Sequence, residues 1–313
     1  MVGIARLPIY RRWRDDYRPL HRELFDEALA DEDWLDGALA AALGSADVPE
    51  ALRALVRREG AGVFSFPLLT SSFCEKLVGE VAHFEASGHR VSMPNSMNEY
   101  GVVLEEMGMG VFAARLRQRV LTPLAAALYA DGGAAAAQSG EEEQAMQRAA
   151  EDVGANGCCD EHHAFTIRYE PSAQPGLDMH HDDSDVTLNV CLAADGGLEG
   201  SGLSFCGVVG HEDHRSYRFT VQHLVGRAVV HLGSHRHGAE DVLQGVRQNL
   251  ILWGRNRRHR EERQEPSPAK VLPPTPGALL GGAPDTKPPD LRCLSWTHDE
   301  DFTEYQELPP EVF

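Results

Sequence analysis

Between residues 164 and 253 the chain breaks into short apolar runs closed by glycine- or aspartate-rich turns, at 164–169, 186–192, 203–209, 217–224, 228–232 and 249–253. These runs are short for helices, and β-branched and aromatic residues recur within them. Strands this brief and this frequent are the pattern of a sandwich or a barrel. Upstream the rhythm is different. Over 20–60, Leu24, Phe25, Ala28, Leu29, Leu52, Leu55 and Val56 recur at threes and fours, so this stretch reads as helical. A second helix opens at Ser71 or Ser72 with Glu75 as its capping-box partner; Phe73, Leu77, Val78, Val81 and Phe84 form its apolar face. Residues 93–101 are rich in turn formers and read as a loop, and a third helix over roughly 110–130 carries Leu116, Val120, Leu124 and Leu128.

Helices followed by strands place the chain in the α+β class, and 313 residues suit one principal domain with appendages. The expected division is a helical extension over 1–57, the principal domain over 58–254 and a mostly disordered tail over 255–313. Residues 131–157 are dominated by glycine, alanine, glutamine and glutamate. Such a segment cannot bury enough apolar surface to offset its ordering entropy, so it reads as a mobile insertion. Beyond Gly254 the chain is charged and proline-rich through about Asp290. No internal repeat is present.

Lys and Arg number 29 and Asp and Glu 48, giving a net charge of 29 − 48 = −19. A surface this acidic repels phosphate backbones and argues against nucleic acid as a partner. Arg255, Arg257, Arg258, Arg260 and Arg263 crowd together after the last apolar run, but Glu261, Glu262 and Glu265 are mixed among them, so they read as a solvated tail. No apolar run approaches the ~20 residues of a membrane helix. Residues 1–10 lack the apolar stretch of a secretory signal, and Asp15 and Asp16 interrupt the arginines at 11, 12 and 14; the expectation is a cytoplasmic protein. The six cysteines form no CxxC pair, and Cys191 and Cys206 fall inside strand-like runs. They read as small hydrophobes in a reducing compartment, with no disulfide framework.

The polar residues with chemistry in them gather at two places. The run His180-His181-Asp182-Asp183-Ser184 precedes the strand at 186–192, a costly concentration of imidazole and carboxylate for a mere turn. An H-x-D pair puts both groups on one side of an extended chain, and both His180/Asp182 and His181/Asp183 satisfy the spacing. A third ligand must come from elsewhere, and 229–237 offers His231, His235 and His237. Two histidines and a carboxylate on one face of a metal leave its other positions open, the facial triad suited to non-haem Fe(II). Arg247, ten residues after His237, opens the apolar strand that ends at Trp253. A guanidinium entering such a strand needs a partner, and its planar fork matches a carboxylate. A dicarboxylic co-substrate reaching from metal to Arg247 accounts for both features. The competing readings are a zinc-dependent hydrolase, which leaves Arg247 without a role, and a non-catalytic metal-binding interaction module. The glycine-rich run 196–202 lacks the lysine of a phosphate loop and reads as a tight turn.

The HHDDS core at 180–184, within the stretch from Phe165-Thr-Ile-Arg-Tyr169 to Leu192, resembles the Fe(II)/2-oxoglutarate-dependent oxygenases, the lysyl and prolyl hydroxylases among them. Closer still is a group called 2-oxoglutarate and iron-dependent oxygenase domain-containing proteins, with a likeness running from Pro94-Asn-Ser-Met-Asn-Glu-Tyr-Gly101 through His237-Gly-Ala239 to Trp253. It covers about residues 58–254. The resemblance implies a double-stranded β-helix, or jelly-roll, core with flanking helices. It further implies His180, Asp182 and His237 as ligands of Fe(II), Arg247 as the anchor of 2-oxoglutarate, and Tyr169 and Asn189 as lining its pocket. Ascorbate is implied as the reductant, molecular oxygen as the other co-substrate, and hydroxylation of a further substrate as the outcome. That substrate stays open: the glycosyltransferase domains of the lysyl hydroxylases are absent, so collagen lysine does not follow.

Overall fold

The computed structural model describes residues 17–89, 92–98, 100–129, 150, 159–194, 197–209, 214–262 and 290–295. Apart from Ala150, the expected insertion over 131–157 lies outside the described residues, as do 263–289 and 296–313.

Thirteen strands lie among the described residues. They are β1 (Arg57–Gly60), β2 (Val63–Pro67), β3 (Val102–Val103), β4 (Glu161–Tyr169), β5 (Leu177–His180), β6 (Val186–Ala194), β7 (Glu199–Gly200), β8 (Leu203–Val208), β9 (Phe219–Val221), β10 (Arg227–Leu232), β11 (His235–Ala239), β12 (Val242–Gln244) and β13 (Arg247–Arg255). The larger sheet has the order β1-β2-β10-β6-β13-β4-β3 and the smaller β5-β11-β8-β9. From β4 to β13, leaving aside the short β7–β12 ribbon, the chain visits large, small, large, small, small, large, small, large. Eight antiparallel strands shared four and four in this way make a double-stranded β-helix. Its register is set by residues of alternating character.

That alternation is visible strand by strand. Val186, Leu188, Val190 and Leu192 of β6, Ala228, Val230 and Leu232 of β10, and Leu250 and Leu252 of β13 join one core with the flanking helices. The intervening Thr187, Asn189, Arg247, Ile251 and Trp253 face the barrel cavity instead. The helical cover comprises Gly37–Leu43, Val48–Leu55, Ser71–Ala86 and the run from Gly110 to Tyr129. Phe73, Leu77, Val81 and Phe84 supply the inward stripe of the Ser71–Ala86 helix. Core residues from both sides of position 57 belong to that same cluster.

Several expectations are corrected. The N-cap of the Ser71–Ala86 helix is Thr70, whose hydroxyl accepts from Phe73 N at 3.2 Å, rather than either serine. Residues 57–60 are strand, not helix, because Arg57, Arg58 and Gly60 pair with β2. The third helix forms, with a π-helical turn over Arg117–Leu121. The strand expected at 217–224 shrinks to β9. The cysteines are not all free: Cys206 and Cys293 form a disulfide, while Cys74 and Cys191 are free and, like Cys159, buried. Cysteine content therefore gives no support to a reducing compartment. Part of the segment read as solvated tail is built into the fold. Arg257–Glu262 is a short helix, and Arg255 and Arg260 pair with Asp183 at 3.0 Å each, Arg260 also with the fully buried Asp185. Among the described residues no helix is long and apolar enough to cross a membrane.

Candidate metal centre

His180 closes β5 and His237 lies at the middle of β11; the two are direct register partners, with ring centroids 4.4 Å apart. Asp182 comes from the β5–β6 turn. That turn is fixed by a backbone bond from Asp182 N to Gly233 O (2.9 Å) and one from Gly233 N to Asp185 O (3.1 Å). Gly233 is required there, since a Cβ would sit 2.0 Å from the Ser184 carbonyl. The result brings His180 Nε2 to 3.5 Å and His237 Nε2 to 3.6 Å from the two Asp182 oxygens. One ligand atom from each residue lies within 4.8 Å of the others, and all three residues are buried.

The orientation of each group is fixed from behind. His180 Nδ1 donates to Asp178 O at 2.7 Å and His237 Nδ1 to His235 O at 2.8 Å. A carbonyl only accepts, so both rings carry their proton on Nδ1 and turn the Nε2 lone pair toward Asp182. Ser184 Oγ lies 2.7 Å from Thr187 Oγ1, which donates to Asp182 Oδ2 at 2.5 Å. Burial by itself raises the Asp182 carboxyl, but His237 and His180 beside it more than reverse this and hold it below the usual carboxylate range. Burial pushes the His237 imidazole well below its ordinary value, with the Asp182 charge opposing. A carboxylate and two imidazoles whose Nε2 atoms converge on it are a donor set that fits a divalent metal.

The other histidines in the run are held elsewhere. His235 Nε2 donates to Cys206 O (2.8 Å) and His231 Nδ1 donates to Leu232 O (2.9 Å). Both are fully buried and neither joins the three-donor cluster, although the His231 ring packs 4.4 Å from that of His237. His181 is half-buried, and Asp183 turns to Arg255 and Arg260.

Asp182, His180 and His237 line one cavity together with Tyr169, Asn189 and Arg247. Arg247 is 1% exposed. Its Nη1 donates to Ser201 O, its guanidinium carbon lies 4.6 Å from the Tyr169 ring centroid, and its Nε has no partner. Ser201 adopts φ 74°, unusual for a residue with a Cβ. Gly200 beside it is needed because a Cβ would meet Asp241 O at 2.2 Å. The described part of the glycine-rich run is thus the tight turn expected. Asn189 Oδ1 accepts from Asn249 Nδ2. A wider groove bounded by Leu177, Asp178, Glu240 and Leu291 shares Met97, Leu177 and Ala239 with the cavity, so the two adjoin. Thr187, Ser184, Asn249 and Ser201 were not anticipated. Only Asn249 carried a signal, standing two residues from Arg247 on the same strand face.

Residues 14–134 match the family model of the OGFOD2-like domain. Over those residues the chain is similar to an OGFOD2-like domain. It is 32% identical over 252 residues to 2-oxoglutarate and iron-dependent oxygenase domain-containing protein 2 of Danio rerio, covering 80% of this chain and 66% of the relative. It is 31% identical over 255 residues to the corresponding protein CP2 of Arabidopsis thaliana, covering 79% and 58%. The chain thus spans no more than about two thirds of the length of these relatives. A solved Pseudomonas putida prolyl-4-hydroxylase overlaps 70% of this chain and 99% of its own at 15% identity, with a TM-score of 0.41. At that score the fold assignment rests on the strand order above.

Proposed function

We propose that this chain is an Fe(II)- and 2-oxoglutarate-dependent dioxygenase that couples oxidative decarboxylation of 2-oxoglutarate to hydroxylation of a second substrate, with a protein side chain as the substrate class to test first. One observation carries the reading: the convergent His180, Asp182 and His237 donors share a buried cavity with the Arg247 guanidinium. His180, Asp182 and His237 are assigned to the metal; Fe(II) bound there supplies the centre for oxygen activation. Arg247 is assigned to the distal carboxylate of 2-oxoglutarate, which it meets as a buried counter-charge. Burial lowers the Arg247 guanidinium, yet an arginine remains charged at any physiological pH. Tyr169 and Asn189 line the same pocket; burial raises the Tyr169 phenol, with Arg247 opposing, so the phenol stays a neutral donor. Leu203, Ile251 and Trp253 exclude water from the space between. Ascorbate is assigned as the external reductant that maintains the ferrous state, and the groove past Met97 and Leu177 as the entry for the second substrate.

The test is succinate release from 2-oxoglutarate with Fe(II) and ascorbate, across a panel of peptides and metabolites. Succinate is expected to depend on iron and to disappear in His237→Ala. No succinate under any condition, from protein shown to hold iron, would overturn the assignment.

A further inference from the structure

The polar wall around Arg247 is larger than the roles above employ. Arg247 Nε, Ser201 Oγ, His223 Nε2 and Asn249 Oδ1 are all buried and all without a hydrogen-bond partner. Buried polar atoms are ordinarily paired, so one orphan on the guanidinium and three on the residues grouped with it mark polar capacity that the fold leaves unused. They belong together in space. Ser201 meets Arg247 through its carbonyl, Asn249 follows Arg247 by two on β13, and Asn249 Nδ2 lies 3.5 Å from His223 Nδ1.

This last contact fixes the histidine. Asn249 Nδ2 presents N–H to both Asn189 Oδ1 and His223 Nδ1, so Nδ1 is the acceptor and the ring proton resides on Nε2. Burial first, and then the charge of Arg247, hold His223 neutral. The orphan Nε2 is therefore an N–H donor beside the guanidinium. Arg247 itself has already committed Nη1 to Ser201 O. A planar fork meets a carboxylate through two parallel N–H bonds, so about two of its four lone-pair directions are left for other donors.

We propose that His223 Nε2–H is a second donor to the distal carboxylate of the co-substrate, and that with Arg247 it selects dicarboxylic over monocarboxylic 2-oxo acids. The inference rests on the assignment of Arg247 above, and its test separates the two. The probes are 2-oxoglutarate and 2-oxopentanoate, which has the same chain length without the distal carboxylate, titrated calorimetrically into Mn(II)-loaded full-length protein. His223→Phe keeps the ring volume and removes the donor; His223→Gln keeps an N–H near the same place. His223→Phe is expected to weaken 2-oxoglutarate on the order of tenfold, the loss of a hydrogen bond to a charged group, and to leave 2-oxopentanoate unchanged. His223→Gln is expected to recover most of the loss. Equal 2-oxoglutarate affinity in His223→Phe and parent overturns the proposal. So does an equal loss for both acids in both variants, which makes His223 a packing residue. A parent that does not distinguish the two acids overturns the Arg247 assignment and this inference with it, whereas a parent that distinguishes them while His223→Phe does so equally well overturns the inference alone.

Discussion

Arg247 and Tyr169 are register partners across β13 and β4, and the guanidinium carbon lies 4.6 Å from the centre of the phenol ring. Cross-strand placement gives the cation a face to rest on without neutralising it. The contact holds Arg247 where its unpartnered Nε can serve a ligand rather than fold back onto protein.

From this pair, Arg247→Ala should weaken 2-oxoglutarate by about 2–5 kcal/mol, because a buried carboxylate loses its counter-charge. Metal affinity should hardly change, since Arg247 is not among the three donors. Arg247→Lys should rescue poorly, a point charge being no substitute for the fork. Tyr169→Phe keeps the ring under the guanidinium and should cost about 1 kcal/mol of 2-oxoglutarate affinity. Titration of 2-oxoglutarate into each variant checks all three; equal affinity in Arg247→Ala and parent would remove the anchor role.

The Cys206–Cys293 disulfide closes a sequence separation of 87 residues and pins the segment that lines the outer groove. Arg236 Nε donates to Cys293 O at 2.8 Å, and the Arg292 guanidinium stacks 3.6 Å over Tyr217, so the segment has other holds too. Loop closure of this length corresponds to roughly 4 kcal/mol of stability at most. Cys293→Ser should therefore unfold at lower denaturant than the parent without reductant, and the gap should close when a dithiol is added. A gap that persists unchanged in reductant would mean that packing of Cys293, not the bond, is responsible.

How far the sequence could be read depends on what each strand has to do. Strands β6, β8, β10 and β13 bury apolar residues against helices or the opposite sheet, so they stood out as short apolar runs between turns. Strands β5 and β11 hold Leu-Asp-Met-His and His-Arg-His-Gly-Ala. Their side chains serve the metal centre rather than a core, and no apolar alternation betrays them. Spacing offered two H-x-D pairs and three distal histidines, and the set His180, Asp182 and His237 came from the family resemblance. Parity could not choose between His180 and His181, since the Asp183–Asp185 turn resets the phase. The disulfide and the docking of Arg260 were not legible for a different reason: both join residues more than seventy apart, across a segment whose composition looks solvated.

Asp185 is fully buried and accepts from Arg260 Nε at 2.8 Å, from Arg260 Nη2 at 2.5 Å and from Asn256 N. Burial raises its carboxyl above the ordinary value while Arg260 opposes the rise. Arg260→Met should cost about 3 kcal/mol, somewhat less to the extent that the 17% exposed guanidinium is screened by water. A carboxyl deprived of Arg260 has a still higher folded pKa, so the deficit belongs to the ionised form. It should be greatest at neutral pH and shrink as pH falls through that raised value. Urea midpoints of parent and variant at several pH values check the sign; a deficit that grows on acidification would contradict it.

The run His180-His181-Asp182-Asp183 leaves two possible ligand pairs, and the geometry separates them. His180 stands opposite His237 with its Nδ1 proton spent on Asp178 O, while Asp182 sits between the two Nε2 atoms. His181 is offset by one residue and so leaves that face of β5, and Asp183 is committed to Arg255 and Arg260. His180→Ala should therefore lose stoichiometric Fe(II) and, with it, decarboxylation of 2-oxoglutarate. His181→Ala should retain iron and at least part of the turnover. Metal content and succinate release are to be measured on both variants, with folding checked by the urea midpoint. If His181→Ala loses the metal and His180→Ala keeps it, the ligand pair moves to His181 and Asp183, and the β5–β6 turn must then adopt a different register from the one that Gly233 fixes here.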